Sequence, residues 1–140
     1  MKEERIDEIF NFIEESNIDL DEDPIRKGPK YLNKMVAETR NLSNHIQKYE
    51  REVAKEKLSF ERALNKKEAE FELQKNDLMS NDPSVMNKSS VKDREAAVHN
   101  MLKDLVEEIQ NIKNNLTDLG HVETVINSKI RELKDCNLGS

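Results

Sequence analysis

The sequence contains few of the residues that interrupt helices or form disulfides. Its 140 residues include three glycines, three prolines, one cysteine and no tryptophan. A single cysteine excludes an intrachain disulfide and is typical of a reduced compartment, so we expect a cytoplasmic protein. No apolar run approaches the roughly 18 residues of a membrane span, and the first residues lack a signal-peptide pattern. We therefore expect no membrane partner.

Motifs of catalysis and cofactor binding are also missing. The sequence has no glycine-rich phosphate loop, no nucleophile elbow and no paired carboxylate motif. His45, His99 and His121 are far apart in the sequence, and we expect none of them to bind a metal or to act in catalysis. Cys136 has no partner nearby in sequence and is expected to be an inert thiol. The sequence thus predicts a protein that is not an enzyme, with no cofactor, metal or small-molecule substrate.

What the sequence does contain is helical patterning. Charged residues make up 37% of the chain and apolar residues 35%, and no strand-like alternation is present. From Val98 to Leu133 every seventh residue is aliphatic, and a second row interleaves at three- and four-residue steps. This is the apolar seam of a coiled-coil helix, which a partner helix covers. The candidate seam residues are Leu102, Leu105, Ile109, Ile112, Leu116, Leu119, Ile126, Ile130 and Leu133.

Two further segments have helical periodicity. Residues 2–16 form a short amphipathic pattern that must dock to persist, because an isolated helix of this length is marginal. A second heptad seam starts after Pro29, and its phase slips by one four-residue step after Phe60, where we expect poorer packing. Its members are Leu32, Met35, Leu42, Ile46, Tyr49, Val53, Phe60 and Ala63, with the polar Thr39 and Glu56 between them.

These patterns predict an all-α fold. It consists of an acidic N-terminal helix and linker, residues 1–28, and a helical hairpin, residues 29–140. The hairpin has helices at about 30–79 and 90–134, joined by a loop at 80–89, in an antiparallel coiled-coil-like arrangement. Ser90 and Asp93 resemble a capping box, and we favour a continuous helix through Gly120 over a break there. Two such helices bury little surface, so we also expect a homo-oligomer built on the 98–133 seam.

Charge is segregated along the chain. Residues 1–24 carry two basic and ten acidic residues, a net −8, whereas residues 26–67 carry twelve basic and five acidic residues, a net +7. The basic stretch is either a solvated helix that pairs with acidic neighbours or a surface for a polyanion. Tyr31, Tyr49 and Phe60 lie within it, and Tyr31 is the aromatic residue most available for stacking on bases. The candidate nucleic-acid contacts are Arg26, Lys27, Lys30, Lys34, Lys55, Lys57, Arg62, Lys66 and Lys67.

Four features together resemble the UvsY-type recombination mediators of tailed bacteriophages. They are Tyr31-Leu32-Asn33-Lys34 at the entry to the first long helix, Val53-Ala54-Lys55-Glu56-Lys57 at its basic centre, Ser90-Val91-Lys92-Asp93 before the last helix, and the late Gly120. The resemblance covers roughly residues 25–135. It implies a ring-like oligomer in the host cytoplasm that binds single-stranded DNA and helps to load a recombinase.

Two other functions fit the same pattern without nucleic acid. A virion component, assembly scaffold or other coiled-coil structural adaptor would explain the apolar seams equally well. A small coiled-coil regulator that binds a partner through the acidic residues 1–24 would explain the −8 segment best. A salt titration of single-strand binding separates the first function from these two.

Overall fold

The protein is described by a computed structural model that covers residues 1–16 and 29–135, without the side chain of Leu32. All five elements in these ranges are helices: α1 (Glu3–Glu15), α2 (Pro29–Asn81), α3 (Pro83–Met86), α4 (Val91–Met101) and α5 (Lys103–Asp135). The all-α prediction is confirmed, with two long helices that pack together and a short N-terminal helix. In the same ranges no helix is long and apolar enough to cross a membrane.

Helix α2 is 53 residues long because nothing in its sequence stops it earlier. Pro29 occupies its first position, where a missing amide hydrogen has no effect, and neither glycine nor proline recurs before Pro83. Pro83 then begins the one-turn helix α3, whose N-cap Asp82 accepts a hydrogen bond from the Ser84 amide. The region predicted as a loop, 80–89, is therefore partly helical, since α2 continues to Asn81.

The predicted cap at Ser90 is confirmed, but the single helix that was predicted after it is wrong. Ser90 Oγ accepts a hydrogen bond of 3.1 Å from the Asp93 amide and starts α4. The backbone then departs from helical geometry at Leu102, with φ −101° and ψ 24°, so that α4 and α5 are separate elements. Both neighbouring hydrogen bonds persist, from Leu102 N to Val98 O and from Val106 N to Leu102 O. Helix α5 runs through Gly120 without a break, as favoured by the heptad phase.

The chain divides into two compact units. Unit 1 comprises Met1–Glu56 and Asp118–Ser140, and unit 2 comprises Lys57–Thr117. In unit 1, α1 packs on the first half of α2, and the last part of α5 completes the core. The buried apolar residues of unit 1 are Ile9, Ile13, Met35, Ile46, Tyr49, Val53, Leu119, Val122, Ile126 and Leu133.

In unit 2 the second half of α2 pairs with α4 and the first part of α5. Contacts join Lys67 to Glu108 and Phe71 to His99, so partner numbers fall as α2 numbers rise and the helices are antiparallel. Val85, Val98 and Leu105 are buried in this unit. The α2 residues Phe60, Leu64 and their successors are only half-buried, as the phase slip after Phe60 predicts.

The predicted seam on α5 is covered within the chain over its last third. Leu119, Ile126 and Leu133 are almost completely buried in unit 1. Two further residues share this buried side, Val122 and Lys129, while Ile130 is half-buried. The remaining seam residues lie in unit 2, where Leu105 is buried and Leu102, Ile109, Ile112 and Leu116 are half-exposed. The homo-oligomer on the 98–133 seam stays a prediction, and in the single chain the last third of this seam is already buried.

Candidate nucleic-acid interface

The first four candidate residues lie around the start of α2. Arg26 and Lys27 fall outside the described residues. Lys30 and Lys34 are exposed in the first turns of the helix, and Lys34 Nζ lies 4.0 Å from a carboxylate oxygen of Glu38. An exposed pair at this distance is weak and competes poorly with a phosphate. Both lysines are therefore accessible to a polyanion.

The other five candidates separate into two sets. The exposed set comprises Lys55 in unit 1 and Arg62 and Lys66 in unit 2. Lys57 follows Lys55 by two residues, points to a different side and is half-buried. Lys67 is committed to carboxylates: its Nζ lies 2.8 Å from Glu108 and 3.8 Å from Glu70. The hydrogen bond to Glu108 raises the pKa of Lys67.

Unit 1 has a basic row on α2, formed by Lys48, Arg51 and Lys55. All three are exposed, and their spacing of three and four residues places them opposite the buried Ile46 and Val53. Within the described part of the chain, no carboxylate lies at ion-pair distance from any of them. Lys48 and Arg51 belong to the basic stretch but not to the candidate set. The signal for Lys48 is its seven-residue spacing from Lys55.

Two carboxylates of α2 in unit 1 are held by the N-terminal segment. Glu52 accepts two hydrogen bonds of 2.7 Å, from Nε and Nη2 of Arg5. Glu56 accepts one of 2.6 Å from the amino group of Met1. Glu52 is in i,i+4 reach of Lys48 and in i,i+3 reach of Lys55, so in an isolated helix it would pair with them. Because Arg5 holds Glu52, that pairing is absent, and Lys48 and Lys55 have no carboxylate partner among the described residues.

Aromatic contacts hold α1 in this position. The ring of Phe12 stacks on His45 with centroids 4.2 Å apart, and it meets Tyr49 edge-on at 5.5 Å. The Arg5 guanidinium lies over the Tyr49 ring, 5.1 Å from its centroid. Burial raises the pKa of Tyr49. Tyr49 is thus a core residue of unit 1 and is not available to stack on a base.

The other two aromatic residues of the basic stretch are also partly covered. Tyr31 and Phe60 are both half-buried, and Tyr31 has an interaction partner. The expectation that Tyr31 stacks on bases thus has less support than its place in the sequence suggested. An interface here depends on charge, because phosphate contacts need only exposed cations.

In unit 2 the exposed cations on α2 are Arg62 and Lys66, which are four residues apart on one face. Neither has a carboxylate at ion-pair distance among the described residues. This basic pair is the unit 2 counterpart of the basic row. It is small, but phosphate contacts act additively because each releases counterions.

The three histidines have different surroundings. His45 is stacked on Phe12 in unit 1, whereas His99 lies against Phe71, with centroids 5.3 Å apart, in unit 2. His121 is exposed on α5. In the described ranges no three side chains of histidine, cysteine, aspartate or glutamate converge as a metal site requires.

The comparisons with known proteins give no relative: the sequence matches no protein-family model, no curated protein and no solved structure.

Proposed function

We propose that the protein is a non-enzymatic helical protein that binds single-stranded DNA through exposed cations of α2. Its function would be that of a phage recombination mediator, with a recombinase as its protein partner. The contacts in unit 1 are Lys48, Arg51 and Lys55. Those in unit 2 are Arg62 and Lys66. Lys30 and Lys34 extend the basic surface toward the start of the helix.

One observation supports this proposal above the others. The cations of the basic row have no carboxylate partner among the described residues, although the chain as a whole carries a net charge of −6. Glu52, which would pair with Lys48 or Lys55 in an isolated helix, is occupied by Arg5. Cations without carboxylate partners attract phosphates, and their contacts carry no base preference.

The choice of single strands rests on shape and on the resemblance described above. An exposed row of cations on a helix can contact the phosphates of a flexible strand without any groove-reading element. The resemblance to UvsY-type mediators covers the same helix, through Tyr31-Leu32-Asn33-Lys34 and Val53-Ala54-Lys55-Glu56-Lys57. It is also the reason for proposing a recombinase as the partner.

A salt titration tests the DNA-binding part. Anisotropy of a labelled single strand should show log affinity falling with log salt by about 0.7 per phosphate contact. Lys48→Ala combined with Lys55→Ala should reduce the slope by roughly 1.4 on the same basis. Lys92→Ala combined with Lys103→Ala removes the same charge from exposed sites on α4 and α5 and should leave the slope nearly unchanged. Absence of wild-type binding at low salt would overturn the proposal.

The recombinase partner needs a separate assay. A DNA-dependent recombinase should load faster onto single strands covered by a single-strand binding protein when the wild-type chain is added. The Lys48→Ala, Lys55→Ala variant should lose this stimulation, and the Lys92→Ala, Lys103→Ala control should keep it. If both variants stimulate loading equally, recombinase loading does not depend on Lys48 and Lys55.

The alternative is a structural adaptor without nucleic-acid binding. The observation in its favour is the exposed apolar surface of unit 2, where Leu73 is 74% and Val91 61% exposed. Surfaces of this kind mark protein contacts. If the protein binds no DNA at low salt but forms a defined complex with another protein, the adaptor function is the correct one.

A further inference from the structure

The two units differ in how well they cover their apolar residues. Among the described residues, ten of the thirteen buried apolar side chains lie in unit 1. All five large apolar side chains that are exposed lie in unit 2, namely Leu58, Leu73, Met86, Val91 and Met101. Unit 2 therefore has apolar surface that its own helices do not cover.

The number of helices explains the difference. In unit 1 three helices enclose the core, because α1 adds its buried Ile9 and Ile13 to the pair formed by α2 and α5. In unit 2 the second half of α2 faces α4 and the first part of α5, without a third long helix. The seam of α5 keeps its heptad spacing through Ile109, Ile112 and Leu116, but these residues stay half-exposed. The pattern requires a partner that the single chain does not supply.

Unit 2 also has a groove of about 350 Å³ between α2 and the α4–α5 side, apart from the five exposed side chains. Its apolar lining comes from Phe71, Val106 and Ile109. Its two walls carry opposite charge: Glu68 and Glu72 project from α2, and Lys113 projects from α5. Glu68 and Lys113 are about half exposed, and their charged atoms are 4.0 Å apart. This pair is loose enough to exchange partners.

We propose that a second copy of the chain docks on this groove through the same groove of its own, as an isologous dimer. A two-fold axis parallel to the groove sets the α2 wall of one copy against the α5 wall of the other, so Glu68 and Glu72 of each copy face Lys113 of the other copy. The apolar linings then face each other, and two helix pairs complete a four-helix arrangement. This inference concerns unit 2 and is independent of DNA binding by α2.

The first test is the mass of the wild-type protein by light scattering from micromolar to near-millimolar concentration. We expect a mass that rises with concentration to twice the 16.3 kDa of the chain or a multiple of that dimer. A mass of 16.3 kDa at every concentration overturns the proposal.

A charge swap tests the surface itself. Lys113→Glu sets acid against acid in the dimer, and Glu72→Lys sets lysine against lysine, so each variant alone should dimerise roughly tenfold more weakly. An equimolar mixture of the two variants restores a Glu–Lys contact between positions 72 and 113 on both sides and should associate more strongly than either variant alone. Both residues are exposed, so circular dichroism should show an unchanged helix content.

Matched controls are available outside the groove. Lys103→Glu and Glu95→Lys reverse the same charges at exposed positions on α5 and α4, and both should associate like wild type. In addition, Ile109→Asp puts a charge into the apolar lining and should weaken association at least a hundredfold. Association that is insensitive to the charge swap and to Ile109→Asp shows that the copies meet elsewhere and overturns the proposal.

Discussion

Arg5 of α1 holds Glu52 of α2 with two hydrogen bonds of 2.7 Å, in the fork geometry that guanidinium and carboxylate groups favour. The contact joins residues 47 positions apart and does two things. It fixes α1 on α2, and it keeps the Glu52 carboxylate from pairing with Lys48 and Lys55. The acidic N-terminal helix thereby leaves the basic row without Glu52 as an ion-pair partner.

The variant Arg5→Gln should lower the affinity for single-stranded DNA. Glu52 would be released to pair with Lys48 or Lys55, and a pair worth ~0.5 kcal/mol corresponds to a roughly twofold loss of affinity. Anisotropy at low salt measures the change. Lys2→Gln removes the same charge and leaves Glu52 held, so it serves as the control. The double variant Arg5→Gln, Glu52→Gln should return to wild-type affinity, and failure to do so would show that Arg5 acts by another route.

The same contact should make the docking of α1 sensitive to acid. The hydrogen bond from Arg5 lowers the pKa of Glu52 from its ordinary value of 4.5. Because the folded-state pKa is lower than the unfolded one, the stabilisation is present above about pH 4.5 and is lost as the pH falls through the lowered value. Thermal unfolding followed by circular dichroism should thus separate wild type from Glu52→Gln at neutral pH. The two curves should converge in acid.

The sequence allowed the helices to be predicted well because their signals are local. The heptad spacing, the scarcity of glycine and proline, and the Ser90 cap each act within a few residues. The distortion at Leu102 was not predictable in this way, because the residues around it, from His99 to Lys103, include neither glycine nor proline. The buried Lys129 was missed because a lysine does not count toward an apolar seam, although its unbranched stem can line one.

The candidate interface was predictable only as a region. Composition shows that residues 26–67 are basic, but it cannot show which cations have partners from distant parts of the chain. Lys67 is paired with Glu108, 41 residues later, and the pairing of Glu52 depends on Arg5. These long-range ion pairs distinguish the exposed basic row from the lysines beside it.

Gly120→Ala should stabilise the protein. Gly120 lies in the interior of α5, and a Cβ added there meets no atom within 4 Å. Alanine in a helix interior is favoured over glycine by about 1 kcal/mol, so the free energy of unfolding should rise by that amount. Denaturant unfolding measures it, with the exposed neighbour Thr117→Ala as a control that should change stability less. A loss of stability would mean that α5 needs the freedom of glycine at this position.

The last prediction concerns Lys129, which is only 4% exposed although it carries a charge. It lies between Ile126 and Leu133 on the buried side of α5, and its Nζ is 3.3 Å from a carboxylate oxygen of Glu132. Lys129→Met keeps the unbranched stem and removes the desolvated charge, so we expect a gain of about 1 kcal/mol in unfolding free energy.

Glu132→Gln should have the opposite effect, because it leaves the buried ammonium without its carboxylate. Lys134→Met changes an exposed lysine of the same helix and should have little effect. Chemical denaturation of the three variants beside wild type gives the comparison. The prediction is contradicted if Lys129→Met lowers the free energy of unfolding while Glu132→Gln leaves it unchanged. The Lys129 ammonium would then stabilise the core through contacts other than the one with Glu132.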